Sequence, residues 1–143
     1  MKKGPRAIRQ DMTKKGIDKQ LQDNVLESFP HEEQVQLALE LAEKTAKSEA
    51  KKTPAQVKQK IQDMLMRKGY SFTVTKEVIE QMTFEREEDD WAMMVASQGE
   101  KVWKKYSSKY TDNELRMRVK QALYQKGFPL EIIQQFIEDK ENE

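Results

Sequence analysis

The side chains able to do acid–base or metal chemistry are few. The chain holds one histidine and no cysteine, which excludes thiolate metal sites and disulfide scaffolds. His31 follows Pro30 and precedes Glu32 and Glu33. An imidazole there could serve as a general base or a metal ligand, but a lone histidine in a polar first helical turn is ordinarily a surface residue. Glu85-Arg86-Glu87-Glu88-Asp89-Asp90 is the densest acidic run. It could bind a cation or supply a carboxylate pair. It could equally be a helix start, where each acid gains about 0.3–1 kcal/mol from the helix dipole. No phosphate loop, dinucleotide fingerprint or His-Glu-x-x-His occurs. The expectation is no catalytic residue, no metal site, no cofactor and no small-molecule substrate.

The remaining candidates are binding groups. Trp91, Trp103 and Tyr106 stand at helical spacing and suit core packing. Trp103, set among Lys101, Lys104 and Lys105, could instead anchor a partner. Residues 1–20 carry seven basic and two acidic residues, and residues 44–60 carry six lysines and one glutamate. Such clusters can neutralise phosphates or meet acidic protein surface. Lys15, Lys68 and Lys126 each precede a glycine and suit helix C-termini.

Those glycines order the whole chain. Gly16, Gly69 and Gly127 sit in KKGI, RKGY and QKGF. Eight residues before them stand Ile8, Ile61 and Val119; four before, Met12, Leu65 and Leu123. One residue after stand Ile17, Tyr70 and Phe128; five after, Leu21, Val74 and Ile132; nine after, Val25, Val78 and Phe136. Apolar residues four apart on both sides of a glycine predict helix, left-handed glycine turn, helix. A longer helix follows the first two pairs, over His31 to Ser48 and Arg86 to Tyr106. Thr53-Pro54 marks an N-cap and first helical position, and Thr111 with Glu114 fits a capping box. No segment alternates strictly, so no sheet is expected.

The chain has 143 residues, 36% of them hydrophobic and 36% charged, with 26 Lys plus Arg against 25 Asp plus Glu. No apolar run approaches the ~20 residues of a membrane span, which points to a soluble, cytoplasmic protein. Near-zero net charge argues against disorder. The expected fold is all-α: tandem three-helix repeats in an elongated, curved array, with repeats over 1–50 and 51–110 and a partial, two-helix repeat over 111–143.

The string Gly4-Pro5-Arg6-Ala7-Ile8, followed by Lys15-Gly16-Ile17, resembles a hallmark of the RecX family, whose later repeats carry a basic-Gly-aromatic turn like Lys68-Gly69-Tyr70 and Lys126-Gly127-Phe128. The resemblance covers essentially the whole chain. It lacks the further repeat that usually precedes the Gly-Pro helix, so the chain looks like the C-terminal part of a longer member. The resemblance implies a non-enzymatic regulator, mainly an inhibitor, of the RecA recombinase. Such a protein lies in the groove of the RecA–DNA filament and limits filament extension, ATP hydrolysis and strand exchange. The family motifs mark no individual contacts. By charge, the expected partner-binding residues are Arg6, Arg9, Lys14, Lys104, Lys105, Arg116 and Arg118, with weak direct contact to DNA possible. The alternative is a helix-turn-helix-like nucleic-acid module, which the pI of about 7.8 disfavours.

Overall fold

The computed structural model describes residues 2–143. It contains α1 (Pro5–Lys14), α2 (Lys19–Glu27), α3 (His31–Ser48), α4 (Pro54–Arg67), α5 (Phe72–Gln81), α6 (Glu88–Ser107), α7 (Asp112–Gln125) and α8 (Leu130–Glu141), and no strand among the described residues. Two compact units result. One comprises Met1–Glu49 with Val57–Thr83, the other Ala50–Gln56 with Phe84–Glu143.

The three glycine turns form as the spacing demands. Gly16, Gly69 and Gly127 have φ of 75°, 96° and 97°, the left-handed region open to glycine at little cost. At each, the residue after the glycine donates its N–H five positions back: Ile17 to Met12 O (3.0 Å), Tyr70 to Leu65 O (3.1 Å) and Phe128 to Leu123 O (3.2 Å). The glycine N–H donates three back, to Thr13, Met66 and Tyr124. This paired pattern satisfies carbonyls that the helix end leaves open and folds the next apolar residue back onto the pair.

In the first unit Val35, Ala38 and Ala42 of α3 are buried, as are Val57, Ile61 and Leu65 of α4 and Val74 and Val78 of α5. In the second, Met94, Val95 and Val102 of α6 meet Leu115, Val119 and Leu123 of α7 and Ile133, Phe136 and Ile137 of α8. Complete burial of one such side chain contributes about 1.5–3 kcal/mol. The long helices pack on the pair that follows them: α3 lies along α5, and α6 on both α7 and α8. The sequence pattern groups each long helix with the pair before it. Periodicity marks the apolar face but not the neighbour that covers it.

The start of α4 is capped as expected, and two other helix starts differ. Thr53 and Gln56 form the reciprocal cap: Thr53 Oγ1 accepts from Gln56 N–H (3.2 Å), and Gln56 Oε1 accepts from Thr53 N–H (3.0 Å). Thr111 makes no side-chain cap bond, so the Thr111–Glu114 box does not form. Asp112, the first residue of α7, has φ 53°, which takes the chain off the helical path at the point where a cap must align. The capping box instead joins Glu87 and Asp90 at the start of α6, and that helix begins two residues later than the expected Arg86.

Candidate partner-binding surface

The groups best placed for acid–base or metal chemistry have structural surroundings. The Glu87 N–H donates to Asp90 Oδ2 at 3.0 Å, so the acidic run starts a helix. His31 Nε2 lies 2.6 Å from Glu77 Oε2, joining α3 to α5 at the surface. Trp91 meets Phe128 edge-on with ring centroids 5.8 Å apart, and Trp103 meets Phe136 at 6.5 Å. Both tryptophans pack against the core of the second unit. No group of three or more His, Asp or Glu converges as a metal site among the described residues, and no helix among them is long and apolar enough to cross a membrane.

The seven basic residues expected to bind a partner are divided between the two units. Arg6, Arg9 and Lys14 lie on α1. The Arg6 guanidinium donates to Met66 O at the end of α4. Arg9 donates to Asp23 Oδ1 (2.7 Å) and Gln22 Oε1 (3.2 Å), tying α1 to α2. Lys14 is exposed in the last turn of α1. In the second unit, Arg116 pairs with Glu141 (2.6 Å) and with Asn113 (3.0 Å). Arg118 reaches Glu114 at 3.6 Å and lies over the Tyr110 ring at 4.7 Å. The planar fork of an arginine suits such fixed pairings, whereas lysine is a hydrated point charge. The four arginines are held by their own fold, and the three lysines stay open to a partner.

A groove between α6 and α7 holds one of these, Lys105, together with two further lysines. Lys101 and Lys105 stand one turn apart on α6, and Lys126 closes α7. With Gln98, Gln125 and Tyr106 they line a depression of about 540 Å³ floored by Val102 and Ala122. Lys105 Nζ sits 5.4 Å from the Tyr106 ring centre. Among the described residues none pairs ionically with these three lysines, so their charges are open to a partner. The α7 C-terminus beside Lys126 adds partial negative charge that holds the ammonium locally. Three ammonium groups, two amides and a phenol over an apolar floor can hold carboxylates or phosphates, and nothing there can activate a nucleophile. Charge counting reached Lys105 of this set. It missed Lys101 and Lys126, because Lys126 is 21 residues from Lys105 in sequence and only the packing of α7 on α6 unites them. The i, i+4 spacing of Lys101 and Lys105 was the available signal.

A family model described as RecX, third three-helix domain, matches twice, over residues 32–79 and 88–137. Each match runs from a long helix through the glycine turn that follows it. The Regulatory protein RecX of Bacillus licheniformis is 37% identical over 139 residues, covering 96% of this chain and 52% of that protein. That of Halalkalibacterium halodurans is 35% identical over 137 residues, with 96% and 52% covered. That of Bacillus cytotoxicus is 36% identical over 138 residues, with 96% and 51% covered. The chain spans about half the length of the curated relatives it matches. No solved structure matches it.

Proposed function

This chain belongs to the RecX family, and we propose that it regulates the RecA recombinase, mainly as an inhibitor, by binding rather than by catalysis. In this reading it lies in the groove of the RecA–DNA filament in the cytoplasm and limits filament extension, ATP hydrolysis and strand exchange. The observation that carries the reading is the Lys101–Lys105–Lys126 groove, a ready seat for acidic groups in a repeat fold of the kind that uses extended surfaces for partners. The repeat itself is best taken as long helix, helix, glycine turn, helix. The matched ranges and the packing of α3 on α5 and of α6 on α7 and α8 support that phase. Among the seven residues chosen by charge, Lys105 lines this groove and Lys104 is its neighbour on α6, while Lys14 offers an exposed charge on the first unit. Arg6 and Arg9 brace helices of the first unit, and Arg116 ties α7 to α8 in the second.

Binding to preformed filaments and to naked single-stranded DNA, each at about 50 and 200 mM salt, tests the reading. Filament binding that persists across that range, with little affinity for naked DNA, is the expected result. Tight naked-DNA binding that collapses over the same range would replace it with a nucleic-acid module reading the same lysines as phosphate contacts.

A further inference from the structure

The first helices of the three pairs share one apolar frame and differ on the side away from it. Ten and three residues before the glycine, α1 carries Arg6 and Thr13, and α4 carries Gln59 and Met66. The polar side chains among these are engaged within the fold. Arg6 donates to Met66 O, Thr13 Oγ1 donates to Arg9 O, and Gln59 donates to Asp63. At the same offsets α7 carries Met117 and Tyr124, 69% and 61% exposed. Seven residues are two helical turns, about 10.5 Å along one face. Lys120 stands exposed between them. Single exposed apolar residues are ordinary. Two aligned along one helix, on the side that α1 makes polar, form a stripe.

The surroundings of the stripe are strongly basic. Residues 101–130 carry eight basic side chains against two acidic ones, Asp112 and Glu114. The other acids of the second unit stand at the start of α6, at Glu100 and from Glu131 onward. Among the described residues none pairs ionically with Lys120. Charge separated in this way within one unit steers acidic partners to one side of it. Neither Met117, Lys120 nor Tyr124 lines the Lys101–Lys105–Lys126 groove. The stripe is therefore a further surface of α7, and the inference drawn from it does not rest on the reading of that groove.

We propose that the Met117–Lys120–Tyr124 stripe is a docking face for an acidic amphipathic helix of a partner protein. The residue types suit that occupant. A flexible thioether adapts to the apolar side chains it meets. A tyrosine offers a large, flat contact at small entropic cost and is common among the anchors of interfaces. The two-turn spacing matches apolar side chains repeated every turn or two along a helix laid on α7. Lys120, between the two anchors, meets the carboxylates on that helix's flank, and the basic surroundings favour its negative charge. A nucleic-acid backbone would engage the lysine and leave Met117 without a role, whereas an acidic amphipathic helix engages all three residues.

The test titrates the chain with a helical peptide that carries leucines one and two turns apart on one face and glutamates on both flanks. The controls are the same peptide with serine for leucine, and oligo-dT. The Met117 methyl and Tyr124 ring resonances should shift with the leucine peptide and stay in place with the serine peptide. Met117→Ser with Tyr124→Ser should weaken the leucine peptide at least about tenfold, with an unchanged melting temperature because both side chains are exposed. A Lys101→Glu, Lys105→Glu variant should still bind it, which separates this stripe from the groove. Equal binding of the two peptides, or binding of neither, would overturn the inference. So would binding that is lost in the lysine variant and kept in the serine one, since the groove would then be the seat. Oligo-dT shifting the Met117 and Tyr124 resonances in place of the leucine peptide would also overturn it, in favour of a nucleic-acid surface.

Discussion

The Gly16 and Gly69 turns are built alike and placed differently. Both have a left-handed glycine, the same pair of backward hydrogen bonds and the same apolar frame. Gly69 is enclosed: the Gly4 N–H donates to Lys68 O (2.7 Å), the Arg6 N–H donates to Gly69 O (3.0 Å), and a Cβ at Gly69 would overlap Ala7. A Cβ at Gly16 would meet nothing within 4 Å. Gly127 sides with Gly69, since Thr53 Oγ1 donates to Lys126 O at 2.5 Å and a Cβ at Gly127 would press on Ala55. One local motif thus has two stability roles. The glycine is needed everywhere for its conformation, but only at Gly69 and Gly127 for the space it leaves.

The largest contrast should come from the apolar frame. Leu65→Ala, at a fully buried site, should cost about 2–5 kcal/mol through the cavity it leaves. Leu21→Ala should cost below about 0.5 kcal/mol, as surface substitutions do. Urea denaturation of both variants measures the difference, and equal losses would break the comparison. Next come the glycines. Gly16→Ala should lose about 1–2 kcal/mol from left-handed strain alone. Gly69→Ala should lose about 1–3 kcal/mol more, because Ala7 must also move. Melting curves of the two variants give the ordering.

A smaller contrast separates two threonines that look equivalent in sequence. Thr53→Ala removes an N-cap acceptor and a bond to Lys126 O, and should cost about 1–2 kcal/mol. Thr111→Ala removes no cap and should stay within about 0.5 kcal/mol of the parent in the same unfolding assay. The smallest effect concerns two exposed ion pairs of the first unit. Lys3 hydrogen-bonds Asp11 and Lys2 hydrogen-bonds Glu40, and each holds its carboxyl below the ordinary value. A depressed carboxylate contributes stability above its unfolded pKa and loses it as pH falls through the folded one, here below about pH 4. Glu40→Gln should therefore lower the urea midpoint slightly at pH 7, by a gap that narrows as the pH falls below about 4. A gap that does not narrow as the pH falls would show that the substitution acts through something other than charge.

The fold was legible where single residues have single uses. Glycine after lysine, with apolar residues four before and five after, leaves one conformation open. The observed helix pairs and the start of α3 at His31 follow from it. Cap chemistry was half legible. Thr53 with Gln56 closes its box, while Thr111 with Glu114 fails because Asp112 turns left-handed, which no side-chain pattern announces. The contact partners of the long helices were not legible, because α3 and α6 are each flanked by two apolar pairs and the pattern does not say which one each touches. The candidate surface was legible in charge alone. Arg6, Arg9, Arg116 and Arg118 read as open cations, yet each finds a carboxylate, amide or carbonyl partner in the fold. Lys126 read as a helix-end residue and joins Lys101 and Lys105 only through the meeting of α6 and α7.

The measurement that bears most directly on the functional reading is ATP hydrolysis by RecA on single-stranded DNA, titrated with this chain and with a Lys101→Glu, Lys105→Glu variant. Dose-dependent inhibition by the parent, lost in a variant that melts at the same temperature, is the result the account predicts. Unchanged hydrolysis with both proteins, or equal inhibition by the two, would contradict it.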